Sequence, residues 1–129
     1  MSGNDPGMIT RLLDSVILID HLNWVPEAEQ FILGLDQSET AISVITRAEI
    51  LVGVEAESAP LVKAWLDQYH LLIIDKAVAD LAASLRQSHG WKLPDAFQAA
   101  LCVHHKIKLA TRNTKDFDPQ RHDFVEIPY

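Results

Sequence analysis

Apolar positions along the chain follow two periodicities in turn. Compact aliphatic or β-branched runs, the composition typical of strands, occupy residues 11–14, 39–44, 71–74, 108–111 and 124–127. Apolar residues at helical spacing occupy residues 17–22, 26–35, 58–69, 76–88 and 96–103, and another helix is predicted to begin at residue 46. The pattern therefore predicts five strands that alternate with helices.

Residues with known preferences for helix ends support these boundaries. Thr46 and Glu49 have the spacing of a capping box, in which each side chain bonds the other's backbone N–H. Gly90 is placed to end the helix over residues 76–88, and Pro94 suits the first turn of the next helix. These signals favour separate helices on either side of residue 90.

Alternation of strands and helices predicts right-handed crossovers and a parallel sheet with helices on both faces. The sequence contains no stretch of linker composition, no repeat and no low-complexity tract. We expect a single α/β domain over residues 9–129, preceded by a disordered lead-in over residues 1–8.

Composition narrows the function classes. A chain of 129 residues can bury a stable core without disulfides, and its one cysteine, Cys102, lies between Leu101 and Val103 as a buried small residue would. This favours a reducing compartment, the cytoplasm. Charged residues interrupt every apolar stretch well short of the roughly 20 residues that span a membrane. The net charge of −7 argues against broad, charge-driven nucleic-acid binding.

Acidic side chains stand where a parallel sheet would gather them. Asp14 ends the first predicted strand, and Glu49 lies one turn into the helix that follows the second. Asp95 begins the helix that leads to the fourth strand, and Asp116 lies just beyond that strand. Ligands of open parallel sheets bind outside the carboxyl ends of the strands, so the four acids are predicted to meet at that edge.

Each acid also has an ordinary structural interpretation. Asp14 could cap a helix, Glu49 could complete the capping box, and Asp95 could interact with a helix dipole. Asp116 could be a turn residue. The joint placement of all four at one edge favours the functional interpretation.

Other conspicuous side chains are expected to be structural. Asp20 is predicted to be a solvated charge near a helix end, turned away from Asp14. The histidines lack the spacing of zinc ligands. The tryptophans are expected to be packing or interface anchors, although Trp91 lies close enough to Asp95 in sequence to reach a substrate or a partner.

Clustered carboxylates must take up protons or hold a cation. Hard oxygen ligands without cysteine or paired histidine favour Mg²⁺ or Mn²⁺, which suit metal-assisted hydrolysis of phosphodiesters. Three basic residues lie near the acids in sequence and are candidates for binding the flanking phosphates: Arg47, Arg112 and Lys115.

Four sequence blocks resemble those of the PIN-domain ribonucleases, and in particular the VapC toxins of toxin–antitoxin pairs. The resemblance extends over residues 9–128, and its blocks are LLDSVILID at residues 12–20, ISVITRAEI at 42–50, LPDAFQAA at 93–100 and LATRNTKDF at 109–117. It implies an α/β/α sandwich with a central, mainly parallel five-stranded sheet. It also implies an Mg²⁺- or Mn²⁺-dependent endoribonuclease that forms homodimers and is inhibited by a cognate VapB-type antitoxin.

The resemblance assigns metal-binding and catalytic roles to Asp14, Glu49 and Asp95. Two departures from the family pattern affect the rest of the site. Many members have Asn after the Asp-Thr pair, where this chain has Val16, so Ser15 alone would bond the waters of the metal. Some members place the fourth acid at the position of Asn113, which leaves Asn113 and Asp116 as alternatives. Thr111, in the same block, is expected to support the site.

Two other functions remain open at the level of sequence. A receiver-type signalling domain also binds Mg²⁺ through acids in an α/β fold. Asp75 after the third strand would suit one, but its acidic pair and terminal lysine are missing from the expected places. The other alternative is a catalytically silent PIN domain that acts as a binding module.

Overall fold

The computed structural model describes residues 8–129, so residues 1–7 of the predicted lead-in lie outside the described part. At its centre is a sheet of five strands: β1 (Arg11–Leu13), β2 (Thr40–Ser43), β3 (His70–Leu72), β4 (Lys108–Ala110) and β5 (Val125–Glu126). The strand order is β3-β2-β1-β4-β5, and every neighbouring pair is parallel. The predicted parallel five-stranded sheet is therefore confirmed.

Within residues 8–129 six α-helices surround the sheet: α1 (Ser15–Leu22), α2 (Pro26–Leu33), α3 (Val44–Val52), α4 (Ala59–Leu66), α5 (Lys76–His89) and α6 (Leu93–His105). The Asp75 side chain caps α5 by accepting a hydrogen bond from the Val78 N–H at 3.0 Å. Gly90 ends the same helix with a φ of 72°, a conformation that glycine adopts without strain. Pro94 lies in the first turn of α6, as the sequence predicted.

Two hydrophobic cores lie on the two faces of the sheet, because successive side chains of a strand point to opposite sides. Leu12 of β1 packs in the core formed with α5 and α6, together with Val78 and Leu101. The next residue, Leu13, packs in the core formed with α1 to α4, together with Ile17 and Ile50. The result is the three-layer α/β/α arrangement.

The predicted start of α3 is wrong. The helix begins at Val44, and its cap is Ser43, whose Oγ accepts a hydrogen bond from the Thr46 N–H at 3.0 Å. Thr46 is therefore inside the helix, and Glu49 is not the partner of a capping box. Both Ser43 and Thr46 are good capping residues, and the sequence alone favoured the wrong one.

Asp20 is buried rather than solvated, which corrects a second expectation. Only 8% of its surface is exposed, and its carboxylate accepts two hydrogen bonds from Arg112, at 2.5 Å from Nε and 3.0 Å from Nη2. The Tyr129 hydroxyl donates a third at 2.8 Å. The Arg112 hydrogen bond lowers the pKa of Asp20. These contacts tie α1 to the segment after β4 and to the C-terminal residue.

Cys102 is buried in α6, with 1% of its surface exposed, and burial raises the pKa of its thiol. The prediction that it is a small core residue is confirmed. No helix among residues 8–129 is long and apolar enough to cross a membrane.

Loss of the Arg112 side chain should destabilise the protein more than loss of an exposed ion pair. In Arg112→Leu the buried Asp20 carboxylate keeps, of its partners among residues 8–129, only the Tyr129 hydroxyl, so we expect a loss of about 2 kcal/mol in the free energy of unfolding. Asp67→Asn removes the exposed pair with Arg47 and should cost less than about 0.5 kcal/mol. Urea unfolding at neutral pH measures both. Equal losses would show that the Asp20 contacts are no stronger than a surface pair.

Candidate functional site

The four predicted acids all stand at the carboxyl edge of the sheet. Asp14 follows β1 directly, and Glu49 lies on α3, the helix that follows β2. Asp95 lies in the first turn of α6, and Asp116 lies in the segment after β4. Strands β1 and β4 are neighbours at the point where the strand order reverses. A crevice at this position is where open α/β sheets bind their ligands.

Asp14 is the most deeply buried of these acids, with 7% of its surface exposed. Its Oδ1 accepts hydrogen bonds from the Ser15 N–H at 2.9 Å and from Gln98 Nε2 at 3.2 Å. Its Oδ2 accepts one from the Thr111 hydroxyl at 2.7 Å. Three donors compensate the buried negative charge and fix the orientation of the carboxylate.

The electrostatic coupling among the acids is strongest at Asp95. Burial, and after it the negative charges of Asp14, Asp116 and Glu49, together raise its pKa to about 6, against a smaller lowering by Lys92. An acid is affected by charges only when they are close. The structure thus brings all four predicted acids into one electrostatic neighbourhood.

Glu49 shows the same coupling more weakly. Burial raises its pKa, and the charge of Asp14 adds to that rise. A hydrogen bond from the Ser15 side chain lowers it in part. The Ser15 side chain thus lies near enough to Glu49 to affect its pKa, and the sequence predicted a supporting role for it at this place.

Asn113 and Asp116, the two alternatives for the fourth position of the site, are hydrogen-bonded to each other. Asn113 Nδ2 donates to Asp116 Oδ2 at 3.1 Å, and the Asp116 N–H donates to Asn113 Oδ1 at 3.3 Å. The Asn113 N–H donates to the Thr111 hydroxyl at 3.0 Å, and the Asp116 carbonyl accepts from the Trp91 indole N–H at 3.0 Å. Asn113 braces Asp116, and Trp91 anchors the segment that carries it.

The predicted phosphate-binding residues differ in their surroundings. Arg47 donates to Asp67 at 2.8 Å, and the Arg112 guanidinium is engaged by Asp20. Lys115 is exposed. The ion pairs give Arg47 and Arg112 structural contacts that the sequence did not indicate.

The donor chemistry of the cluster fits a hard divalent cation, since its side chains offer carboxylate oxygens only. Among residues 8–129 no three His, Cys, Asp or Glu side chains are close enough together to hold a metal ion in the present geometry. Burial is the largest cause of the raised pKa of Asp95, and repulsion by the neighbouring carboxylates, the next cause, is the interaction a cation would relieve.

Gln98 is a site residue that the sequence reasoning missed. It lies on α6, one turn after Asp95, and donates to Asp14 at 3.2 Å and to Thr46 Oγ1 at 2.8 Å. A signal was present, because Gln98 is the one polar residue in the stretch AFQAALC over residues 96–102. A polar side chain inside a buried apolar stretch needs a partner.

The comparisons with known proteins agree with this fold and with one another. The PIN domain family matches residues 11–121. A chain of a toxin–antitoxin complex from Klebsiella pneumoniae is 34% identical, with a TM-score of 0.85, over 93% of this chain and 98% of the other. No curated protein sequence matches this chain significantly.

Two more distant structures share the fold. FitAcB from Neisseria gonorrhoeae has a TM-score of 0.75 at 23% identity, over 92% of this chain and 98% of the matched one. DNA-bound VapBC from Salmonella typhimurium has a TM-score of 0.75 at 20% identity, over 94% and 99%. With a family match over most of its length and a relative above 30% identity, this chain belongs to the PIN domain family.

Proposed function

We propose that this chain is a VapC-type toxin, an endoribonuclease that hydrolyses RNA phosphodiester bonds with Mg²⁺ or Mn²⁺. It acts in the cytoplasm as a homodimer and is inhibited by a VapB-type antitoxin. The observation that carries the proposal is the shared electrostatic neighbourhood of Asp14, Glu49, Asp95 and Asp116 at the ligand-binding edge of a PIN fold.

Asp14, Glu49, Asp95 and Asp116 would hold the cation. When bound, a divalent cation lowers the pKa of a water ligand and offsets negative charge on the phosphate. Asp14 is oriented for this role by Thr111 and Gln98. Burial and the neighbouring charges raise the pKa of Asp95 to about 6, and a bound cation would favour its ionised form.

Asp116 is the better candidate for the fourth acid. Both ends of the Asn113 amide are already bonded to Asp116, one to its carboxylate and one to its N–H. Asn113 is therefore assigned to support, together with Ser15 and Thr111. Among residues 8–129 Lys115 is the predicted phosphate contact that forms no ion pair, whereas Arg47 and Arg112 would have to share their carboxylate partners with a phosphate.

An antitoxin partner is supported by the Klebsiella pneumoniae relative, which is described as part of a toxin–antitoxin complex. Exposed apolar side chains at the end of α3 and on α4 offer a surface for such a partner. Val52 is 87% exposed and Leu61 is 78% exposed. Exposed apolar residues mark a binding surface when they form a contiguous patch, and we propose that these two contribute to one.

The strand order argues against a receiver-type signalling domain. Receiver domains have the order 2-1-3-4-5, whereas the sheet here has the order 3-2-1-4-5. In this order Asp75 follows the outermost strand, β3, and is occupied in capping α5. The silent binding module thus remains as the competing function, and an activity assay distinguishes it from a nuclease.

The nuclease proposal predicts metal-dependent cleavage that one carboxylate controls. Purified protein should cut a pool of structured RNAs with Mg²⁺ or Mn²⁺ and not with EDTA. Asp95→Asn should reduce the cleavage rate by about 100-fold or more, because a charged group at the reacting centre is lost. Gel analysis of the RNA measures the rate, and circular dichroism confirms the fold.

The control for the cleavage experiment is Asp80→Asn, an exposed acid on α5, which should cut at the rate of the unaltered protein. Antitoxin binding by Asp95→Asn should be retained. If neither the unaltered protein nor the control cleaves any RNA while the antitoxin still binds, the silent module replaces the nuclease.

The raised pKa of Asp95 predicts a pH-dependent effect of the same substitution on metal-free stability. Asp95 titrates near its ordinary value of 3.8 when unfolded and at about 6 when folded, so its stabilising contribution is present below pH 3.8 and is lost as the pH rises through 6. At pH 8, Asp95→Asn should therefore be more stable than the unaltered protein. Its free energy of unfolding should be higher by on the order of 1 kcal/mol, a value reduced for solvent screening.

At pH 4 most of this difference should be gone, since Asp95 of the folded protein is then protonated. Urea unfolding in EDTA at the two pH values measures it, with Asp80→Asn as the control substitution at an exposed acid. A stability difference that does not change between pH 4 and pH 8 would contradict the raised pKa of Asp95.

A further inference from the structure

Gln98 is a buried amide whose two ends have very different surroundings. Only 2% of the residue is exposed. Nε2 donates to Asp14 Oδ1 at 3.2 Å and to Thr46 Oγ1 at 2.8 Å. Oε1, in contrast, is buried and has no hydrogen-bond partner among residues 8–129. Nε2 thus makes two hydrogen bonds, whereas burial removes Oε1 from water without a hydrogen bond from the described residues in return. The unpaired Oε1 lowers the free energy of unfolding.

An apolar residue would avoid that cost. The positions around Gln98 on α6 are buried and apolar: Ala96, Ala99, Ala100, Leu101 and Cys102. A methionine has nearly the same shape as glutamine and fits irregular core spaces. The amide therefore contributes something other than packing, and its two bonded hydrogens point to what that is.

The two hydrogen bonds of Nε2 join the three elements that carry or end at Asp14, Glu49 and Asp95. Gln98 itself lies on α6, one turn after Asp95. Its first bond reaches Asp14 at the end of β1, and its second reaches Thr46 on α3, one turn before Glu49. A single amide thus links the elements whose spacing decides how far apart these three acids stand.

The other donors to Asp14 do not make this connection. The Ser15 N–H belongs to the residue next to Asp14 and moves with it. Thr111 holds Oδ2 from the β4 side of the sheet. Gln98 is the donor that ties Oδ1 to α6 and, through Thr46, to α3.

We propose that Gln98 is a positioning residue of the site, which sets the mutual spacing of Asp14, Glu49 and Asp95 and thereby the affinity for the divalent cation. The inference rests on the proposed metal-dependent function. Side chains that orient metal ligands typically change metal affinity by about 10- to 100-fold when they are removed.

The test measures Mn²⁺ binding directly, by isothermal titration calorimetry on the full chain without RNA. Gln98→Met should bind Mn²⁺ about 10- to 100-fold more weakly than the unaltered protein. Thr46→Val removes the hydroxyl that accepts one of the two Gln98 hydrogen bonds and should weaken binding by a smaller factor. Thr46→Ser keeps a hydroxyl at this position and should bind Mn²⁺ as the unaltered protein does. Leu101→Met, a buried change on the same helix without site contacts, should leave binding unaltered.

Thermal unfolding separates positioning from a purely structural role. Saturating Mn²⁺ raises the melting temperature of a protein that binds it in the folded state. This increment, taken from each variant's own metal-free value, should be smaller in Gln98→Met than in Leu101→Met. A lower metal-free melting temperature with unchanged Mn²⁺ affinity would overturn the positioning role.

Asp14→Asn distinguishes the failure of this inference from the failure of the proposed function. If the unaltered protein binds Mn²⁺ no better than Asp14→Asn, the metal site itself is absent and both are overturned. If the unaltered protein binds Mn²⁺ better than Asp14→Asn and Gln98→Met binds it equally well, the metal site stands and only the role of Gln98 is overturned.

Discussion

A buried carboxylate at the end of the central strand is the constraint on which the rest of the site depends. Asp14 is 7% exposed, so its charge must be compensated by donors from the protein. Those donors come from α1, from α6 and from the segment after β4, which are the elements that carry or adjoin the other acids. The hydrogen bonds that compensate the charge of Asp14 therefore also hold these elements together at the carboxyl edge of the sheet.

The burial and mutual repulsion of the acids lower the free energy of unfolding of the protein. Burial and three negative charges raise the pKa of Asp95 to about 6, which means that its ionised form is disfavoured in the folded protein. Two hydrophobic cores on opposite faces of the sheet compensate for this repulsion. Functional sites commonly retain such local conflicts because removing them removes the chemistry.

The strands and the acids could be predicted because each is marked locally in the sequence. A strand-like run directly before Asp14 places that carboxylate at the edge without knowledge of distant contacts. Gln98 and the Asp20–Arg112 pair could not be predicted in the same way, since their partners lie 84 and 92 residues away along the chain. Only the folded chain shows which buried polar groups meet.

The segment after β4 shows how structural and candidate functional contacts alternate along a few residues. Thr111 bonds Asp14, which caps the start of α1, while Arg112 bonds Asp20 in its last turn. One segment thus holds both ends of the helix that adjoins the first acid. Asn113 then forms two hydrogen bonds with Asp116. Because the same segment is bonded to both ends of α1, the position of Asp116 relative to the other three acids is determined by the fold and not by a free loop.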